Sequence, residues 1–293
     1  MLLTGCAAPS RTSVAPVPFA LPDSTVLVDG PSGAPVSTAD LLRRARAADI
    51  VLLGEVHDNP TDMAVRAGII TALADRHPAI VFEQFPESDT PIAPPQPGDS
   101  LEGWLDRSGF DRHGWKWPMH RPVIEAALAH ARSLWGANVS RAQLMPVVEN
   151  GESAAPDSLR PLMDRAPLGD AARAVLDSEL VDGHCHQLPA EMIPGMRTAQ
   201  IVRDAAMTRA LLLAGATGPA WLIAGNGHVR RDVDVPRLLK VAAPGKTVLA
   251  VGILEREENG AGPDPAERAA YDLVIVTPRV PREDPCAQFR RGM

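Results

Sequence analysis

The pattern that most restricts this chain occurs twice. Ile50-Val51-Leu52-Leu53 runs into Gly54-Glu55-Val56-His57, and Trp221-Leu222-Ile223-Ala224 runs into Gly225-Asn226-Gly227-His228. A short apolar run closed by glycine reads as a strand buried on both faces, which requires helices on both sides of a sheet. Ligands of open α/β sheets gather beyond the carboxyl ends of such strands. Both histidines therefore fall where a site is expected, at the same step of two strands.

The rest of the chain fits that frame. Residues 25–29, 50–53, 79–83, 133–137, 220–224, 247–254 and 271–276 read as strands. Helical patterns cover 38–47 (capped by Ser37 or Thr38), 60–76, 121–132, 169–181, 189–213 with a break near Pro194-Gly195, and 235–241. Leu144–Val148 competes with 133–137 as a strand, but Pro146 would sit inside it. Alternating strands and helices predict an α/β three-layer sandwich. Its sheet is mostly parallel, mixed at an edge, and carries an inserted helical subdomain at about 98–215. The domain reading is a truncated lipoprotein signal at 1–6, a Pro/Ala-rich tether at 7–24, the α/β domain at 25–280 and a tail at 281–293.

Composition removes some function classes. A net charge of −7 argues against nucleic acid as partner. No run reaches the roughly 18 apolar residues of a membrane span. Met1-Leu2-Leu3-Thr4-Gly5-Cys6 is similar to the end of a bacterial lipoprotein signal, with Cys6 as the lipidated residue and the true signal longer than this start. That reading anchors the protein to a membrane through Cys6, and Ala7 in place of Asp points to the outer membrane, facing the periplasm. Cys185 and Cys286 are read as unpaired.

Four predicted strand ends carry polar groups that a sheet interior does not need: Glu55 and His57, Glu83, Asn138 and Arg141, and Asn226 and His228. Glu83 lies in the apolar run Val81-Phe82-Glu83-Gln84-Phe85, where an unpaired carboxylate would cost several kcal/mol. Two chemistries follow. In a hydrolase, His57, Glu83 and His228 would hold a divalent ion, Glu55 would be the general base, and Arg141 or Asn226 would stabilise the oxyanion. In a binding protein the same ends would hold a small-molecule ligand. The plain alternative is a buried Glu83–Arg141 ion pair.

Gly54-Glu55-Val56-His57-Asp58-Asn59-Pro60 resembles the opening motif of the ChaN-like haem-binding lipoproteins, relatives of the Tiki, TraB and erythromycin esterase proteins. The likeness continues in Phe82-Glu83-Gln84-Phe85, Gly136-Ala137-Asn138-Val139-Ser140-Arg141, Asp182-Gly183-His184-Cys185, Pro194-Gly195-Met196, Arg203-Asp204-Ala205-Ala206-Met207 and Gly225-Asn226-Gly227-His228. It implies haem as cofactor and a role in iron uptake at the cell envelope. His57, Asn138, Arg141, His184 and His228 are the candidate haem-site residues, and a second copy of the chain stays open as a partner. The family's tyrosine after Trp-Pro is replaced by Met119-His120; His120 is a substitute ligand by that resemblance, but after a Pro turn it reads as a surface residue. Met192 with Met196 reads as core, Gln200 with Asp204 as a pocket wall or a solvated face, and the tryptophans as packing.

Overall fold

The computed structural model describes residues 19–283 and 286–287; Cys6 lies outside the described residues. The first strands are β1 (Val26–Asp29), β2 (Ile50–Leu53), β3 (Ala79–Pro86) and β4 (Ser133–Asn138). After a helical stretch come β5 (Ala220–Ile223), β6 (Val248–Glu255) and β7 (Leu273–Thr277). They form one seven-stranded sheet in the order β1-β7-β6-β2-β5-β3-β4. β1 runs antiparallel to β7 at the edge, and the other pairings are parallel. This is the α/β fold with a mixed edge that the strand and helix pattern predicts.

The two strands with the repeated step are neighbours. β2 pairs with β5 in the register Ile50↔Ala220 to Leu53↔Ile223, and β5 pairs with β3 up to Phe82↔Ile223. The strand ends carrying Glu55, Glu83 and Gly225 therefore share one edge of the sheet.

Alternation along each strand divides the core. Val51, Leu53, Ile80, Phe82 and Ile223 face α1 (Thr38–Ala47), α2 (Pro60–Ala72), α3 (Leu101–Arg107) and α4 (Arg121–His130). Leu52, Val81, Leu222 and Ala250 face the opposite way, onto α8 (Ile193–Ala214) and α9 (Val235–Ala242). A third apolar cluster joins α5 (Arg141–Asn150) and α6 (Arg160–Arg165) to the first half of α8, with α7 (Asp170–Gly183) alongside; α10 (Pro265–Ala269) is a single short helix before β7. The span 98–215 thus divides: α3, α4 and β4 belong to the sandwich, and the helices from α5 onward gather beside it. Residues 144–148 are helical within α5, Pro146 included. Among the described residues no helix is long and apolar enough to cross a membrane.

Local chemistry fixes the connection after β2. Asn59 caps α2 by accepting from the Thr61 N–H at 2.9 Å, and Pro60 opens the helix. Asp62, one turn in, accepts from the Val56 N–H at 2.8 Å and from the Thr277 hydroxyl at 2.9 Å. Burial pushes its carboxyl up to about 7.

Asn226 has a structural task. Its amide donates to the Ile253 carbonyl at 2.6 Å and accepts from the Ile253 N–H at 2.9 Å, clipping the loop after β5 to β6. A Cβ on Gly54 would meet the Asn226 Oδ1 at 2.1 Å, so glycine at that step is a condition of the clip. The oxyanion role expected for Asn226 is thereby corrected, because both ends of the amide are already used by backbone.

Asn226→Ala should cost roughly 2–4 kcal/mol, since it leaves two buried strand groups unpaired; urea denaturation reads this directly, and a loss below half a kcal/mol would refute the clip. Asp62 supplies a pH test. Its carboxyl ionises near 3.8 when unfolded and near 7 when folded, so the folded state holds the extra proton in that window and stability falls as pH rises through it. Asp62→Asn keeps one oxygen to accept from the Val56 N–H, turns its amide N–H toward the Thr277 hydroxyl, and removes the titration. Its stability relative to wild type should improve between about pH 4 and about pH 7, by something on the order of 4 kcal/mol.

Candidate functional site

Glu83 is the hub. It lies in β3, is 5% exposed, and its Oε2 accepts from the Gly225 N–H at 2.7 Å. Its Oε1 is 3.6 Å from His228 Nε2 and 4.0 Å from His57 Nε2. Burial opposes its charge, but His228, then His57, together with the Gly225 N–H hold the carboxyl far below its usual range. A Cβ on Gly225 would stand 2.9 Å from the His57 ring, so the glycine makes room for that imidazole.

His228 continues the network inward. Its Nδ1 is 2.7 Å from Asp204 Oδ1, and the Gln200 amide lies 3.2 Å from the same nitrogen. Gln200 and Asp204 are one helical step of four apart on α8, so one face of that helix reaches the ring. Burial disfavours the imidazolium, yet Glu83 and Asp204 outweigh it and hold the ring charged well above the ordinary histidine range. Behind it, burial and the charge of Asp204 push the Asp234 carboxyl well up, which keeps that group neutral.

A second cluster surrounds Glu55. Its side chain is fully buried, and one oxygen pairs with Arg66. The other oxygen lies 2.6 Å from His57 Nδ1, 3.1 Å from the Gln84 amide and 3.3 Å from His120 Nε2. Burial lowers Arg66 to about 9. His120 is 1% exposed, and burial first, then the charges of Arg66 and His57, lower it to about 3. The surface position expected for His120 is thus wrong: the loop before α4 folds it inward, its Nδ1 3.1 Å from the Trp115 carbonyl. His57 joins both clusters and is the accessible member, with 48% of its side chain exposed.

The other nominated residues sit beside this edge. Arg141 is exposed at the start of α5 and does not pair with Glu83; Asn138 ends β4, half-buried. Arg141 and His184 line a cleft of about 480 Å³ whose walls include Leu144, Met145, Leu188, Met192 and Met196, with Gln200 and Arg203 at its side. Met192 and Met196 therefore line this cleft, not the core. Among the described residues, the donor atoms of Glu55, His57 and His120 lie within 4.8 Å of one another, and this is the set suited to a metal ion. Glu83 and His228, nominated with His57 as a ligand set, fall outside it. His228 has Nδ1 against Asp204 and Nε2 against Glu83.

Cys185 and Cys286, read as unpaired, form a disulfide across 101 residues. It fastens the chain end beside the turn that carries His184. Tyr271, the single tyrosine, is packed under Gly252, its hydroxyl 3.3 Å from the Asn226 carbonyl, and so is no candidate ligand.

Residues 41–239 match the model of a family described as haem-binding uptake, Tiki superfamily, ChaN. The chain belongs to the ChaN family. No curated protein matches. Among solved structures the fold is similar to one described as cofacial heme binding to ChaN of Campylobacter jejuni, at 16% identity and a TM-score of 0.69, covering 88% of this chain and 98% of that one. A Bacillus cereus protein of 15% identity overlaps less well, with a TM-score of 0.38 over 84% of this chain and 74% of the other.

At these strand ends, sequence reading missed Arg66, Gln84 and Asp234, and it placed His120 on the surface. Gln84 carried a usable signal: it neighbours Glu83 in a strand, so it must face the opposite layer and needs a polar partner there. Arg66 in an otherwise apolar helix face was a similar sign.

His228 should carry both ring protons at pH 7, visible as two protonated nitrogens by ¹⁵N NMR, with a midpoint well above 6.5. Asp204→Asn should lower that midpoint by about one unit or more, roughly 1.4 kcal/mol. Since the folded pKa is raised, the pair's stabilisation is complete below pH 6.5 and disappears as pH climbs through the folded midpoint. A neutral His228 at pH 7 would contradict this account.

Proposed function

We propose that this protein is a haem-binding protein of the bacterial cell envelope, tethered through Cys6, that holds haem during iron uptake. Haem needs flat apolar walls, cations for its propionates and an axial ligand. The cleft between α5, the end of α7 and the start of α8 offers Leu and Met side chains, Arg141 and Arg203, and His184. Its volume, about 480 Å³, suits a ligand of that size.

The observation that carries the proposal is the state of His184. Its Nδ1 lies 2.7 Å from the Leu180 carbonyl, which can only accept. In the neutral ring the hydrogen then sits on Nδ1 and the lone pair on Nε2, as in histidines that ligate metals. Arg141 and Arg203 would take the propionates, and Met192 and Met196 would pack against the porphyrin. When bound, haem brings an iron centre that is the cargo of uptake. Asn138, His57 and His228 lie nearer the strand ends and would bear on haem indirectly, through Gln200, which touches both the cleft and His228. The disulfide favours an oxidising compartment, in keeping with an exported protein facing the periplasm.

The test is a hemin titration of the full chain followed by the Soret band. Wild type should give a saturable shift, and His184→Ala should weaken it about tenfold or more, equivalent to roughly 1.4 kcal/mol. Arg141→Ala with Arg203→Ala should weaken it further. An unaltered titration in His184→Ala, with loss in His57→Ala, would move the haem out of the cleft to the strand ends.

A further inference from the structure

We propose that Glu55, His57 and His120 bind a divalent transition-metal ion of the zinc class, at a site sharing no residue with the haem cleft. Two imidazoles and one carboxylate form a borderline donor set that suits zinc and cobalt better than magnesium or calcium. The three donor atoms already converge, all within 4.8 Å of one another.

The spacing of Glu55 to each histidine is close to what such an ion needs. Tetrahedral zinc with ligands at about 2.0–2.1 Å places those ligands roughly 3.3 Å apart. Glu55 Oε1 and His120 Nε2 stand 3.3 Å apart. Glu55 Oε1 and His57 Nδ1 stand 2.6 Å apart and would have to open by under ~1 Å. His57 is the half-exposed member, so it is free to make that move, and it leaves a route from solvent to a fourth coordination position.

His120 and Glu55 are also oriented by partners of the kind that support metal ligands. His120 Nδ1 lies 3.1 Å from the Trp115 carbonyl, an acceptor, which fixes its hydrogen there and leaves Nε2 as a lone pair directed at Glu55. Two electron-rich atoms then face each other, and a shared cation turns that contact into two bonds. Glu55 has its second oxygen on Arg66, so it offers the first as a single-point ligand. His57 turns its other nitrogen to Glu83 at 4.0 Å.

The test uses the full chain, stripped with a chelator and titrated with Zn²⁺ by calorimetry, with Co²⁺ replacing it for visible absorption. The wild type should take up one equivalent and give the intense bands of four-coordinate cobalt. His120→Ala and His57→Ala should each weaken binding by about 100-fold. His77→Asn, at an exposed histidine, should leave it unchanged. Should His120→Ala fail to fold by circular dichroism, His120→Gln replaces it. X-ray absorption on the zinc-loaded wild type then decides independently, with two imidazoles expected in the first shell. Absence of stoichiometric zinc uptake would mean that the contact is held by a proton alone, and the proposal would fall. It would equally fall if zinc survived His120→Ala but was lost in His228→Ala. Hemin binding by the His120 variant should stay intact, so this outcome is separable from that of the haem proposal.

Discussion

A carboxylate buried in the middle of a strand end sets the terms for everything around it. Glu83 is compensated by one backbone N–H, one buried imidazolium and one half-exposed imidazole. Ionised groups in such a place are stable only if every neighbour is already aimed at them. That demand explains the glycine at 225, which brings an N–H within reach and leaves room for the His57 ring. It also explains why Asp204 stands behind His228: an imidazolium walled in by protein needs a second carboxylate to remain charged.

The pleat of β3 then distributes polarity to both layers. Glu83 follows the side chains that face α8, and Gln84 follows those that face α2 and α4. Glu83 meets His228, which Asp204 backs, in the one layer; Gln84 meets Glu55, with Arg66 and His120, in the other. His57 lies at the sheet edge, where it touches both carboxylates. One strand thus supports two charge networks whose single exposed member is the same histidine. Anything that binds at His57 is sensed by both.

The sheet, its mixed edge and the convergence of His57, Glu83 and His228 were legible because they rest on local signals. These are apolar runs closed by glycine, and a carboxylate that could not be left alone in a strand. What escaped depends on distant chain. His120 follows a Pro turn, a surface signature, and is buried because its ring packs between Phe110 and Trp115 of the loop before it and reaches Glu55 at the end of β2. The Cys185–Cys286 bond has no marker in sequence, since nothing local says that the tail returns to the end of α7. Asn226 looked chemical because it sits beside His228, but β6 claims its amide, and that pairing exists only once β6 has docked on β2.

The cost of this arrangement bears on its purpose. Buried ion pairs are often no better for stability than apolar residues of the same volume, and sometimes worse by 1–4 kcal/mol. Arg66 and Glu55 have no exposure, and Arg66 still leaves Nε and Nη1 without acceptors. A sheet edge that served packing alone would be more stable with apolar side chains in those places, as β2 and β3 use Leu, Ile, Val and Phe a few residues earlier. Keeping Glu55, Arg66, Gln84 and His120 therefore makes physical sense where their charges and lone pairs meet something from outside. His57 is the point at which that can happen. In the cleft between α5, α7 and α8 the same reasoning runs the other way. Its walls are largely apolar and its charged residues Arg141 and Arg203 reach solvent, so it carries little electrostatic strain without ligand.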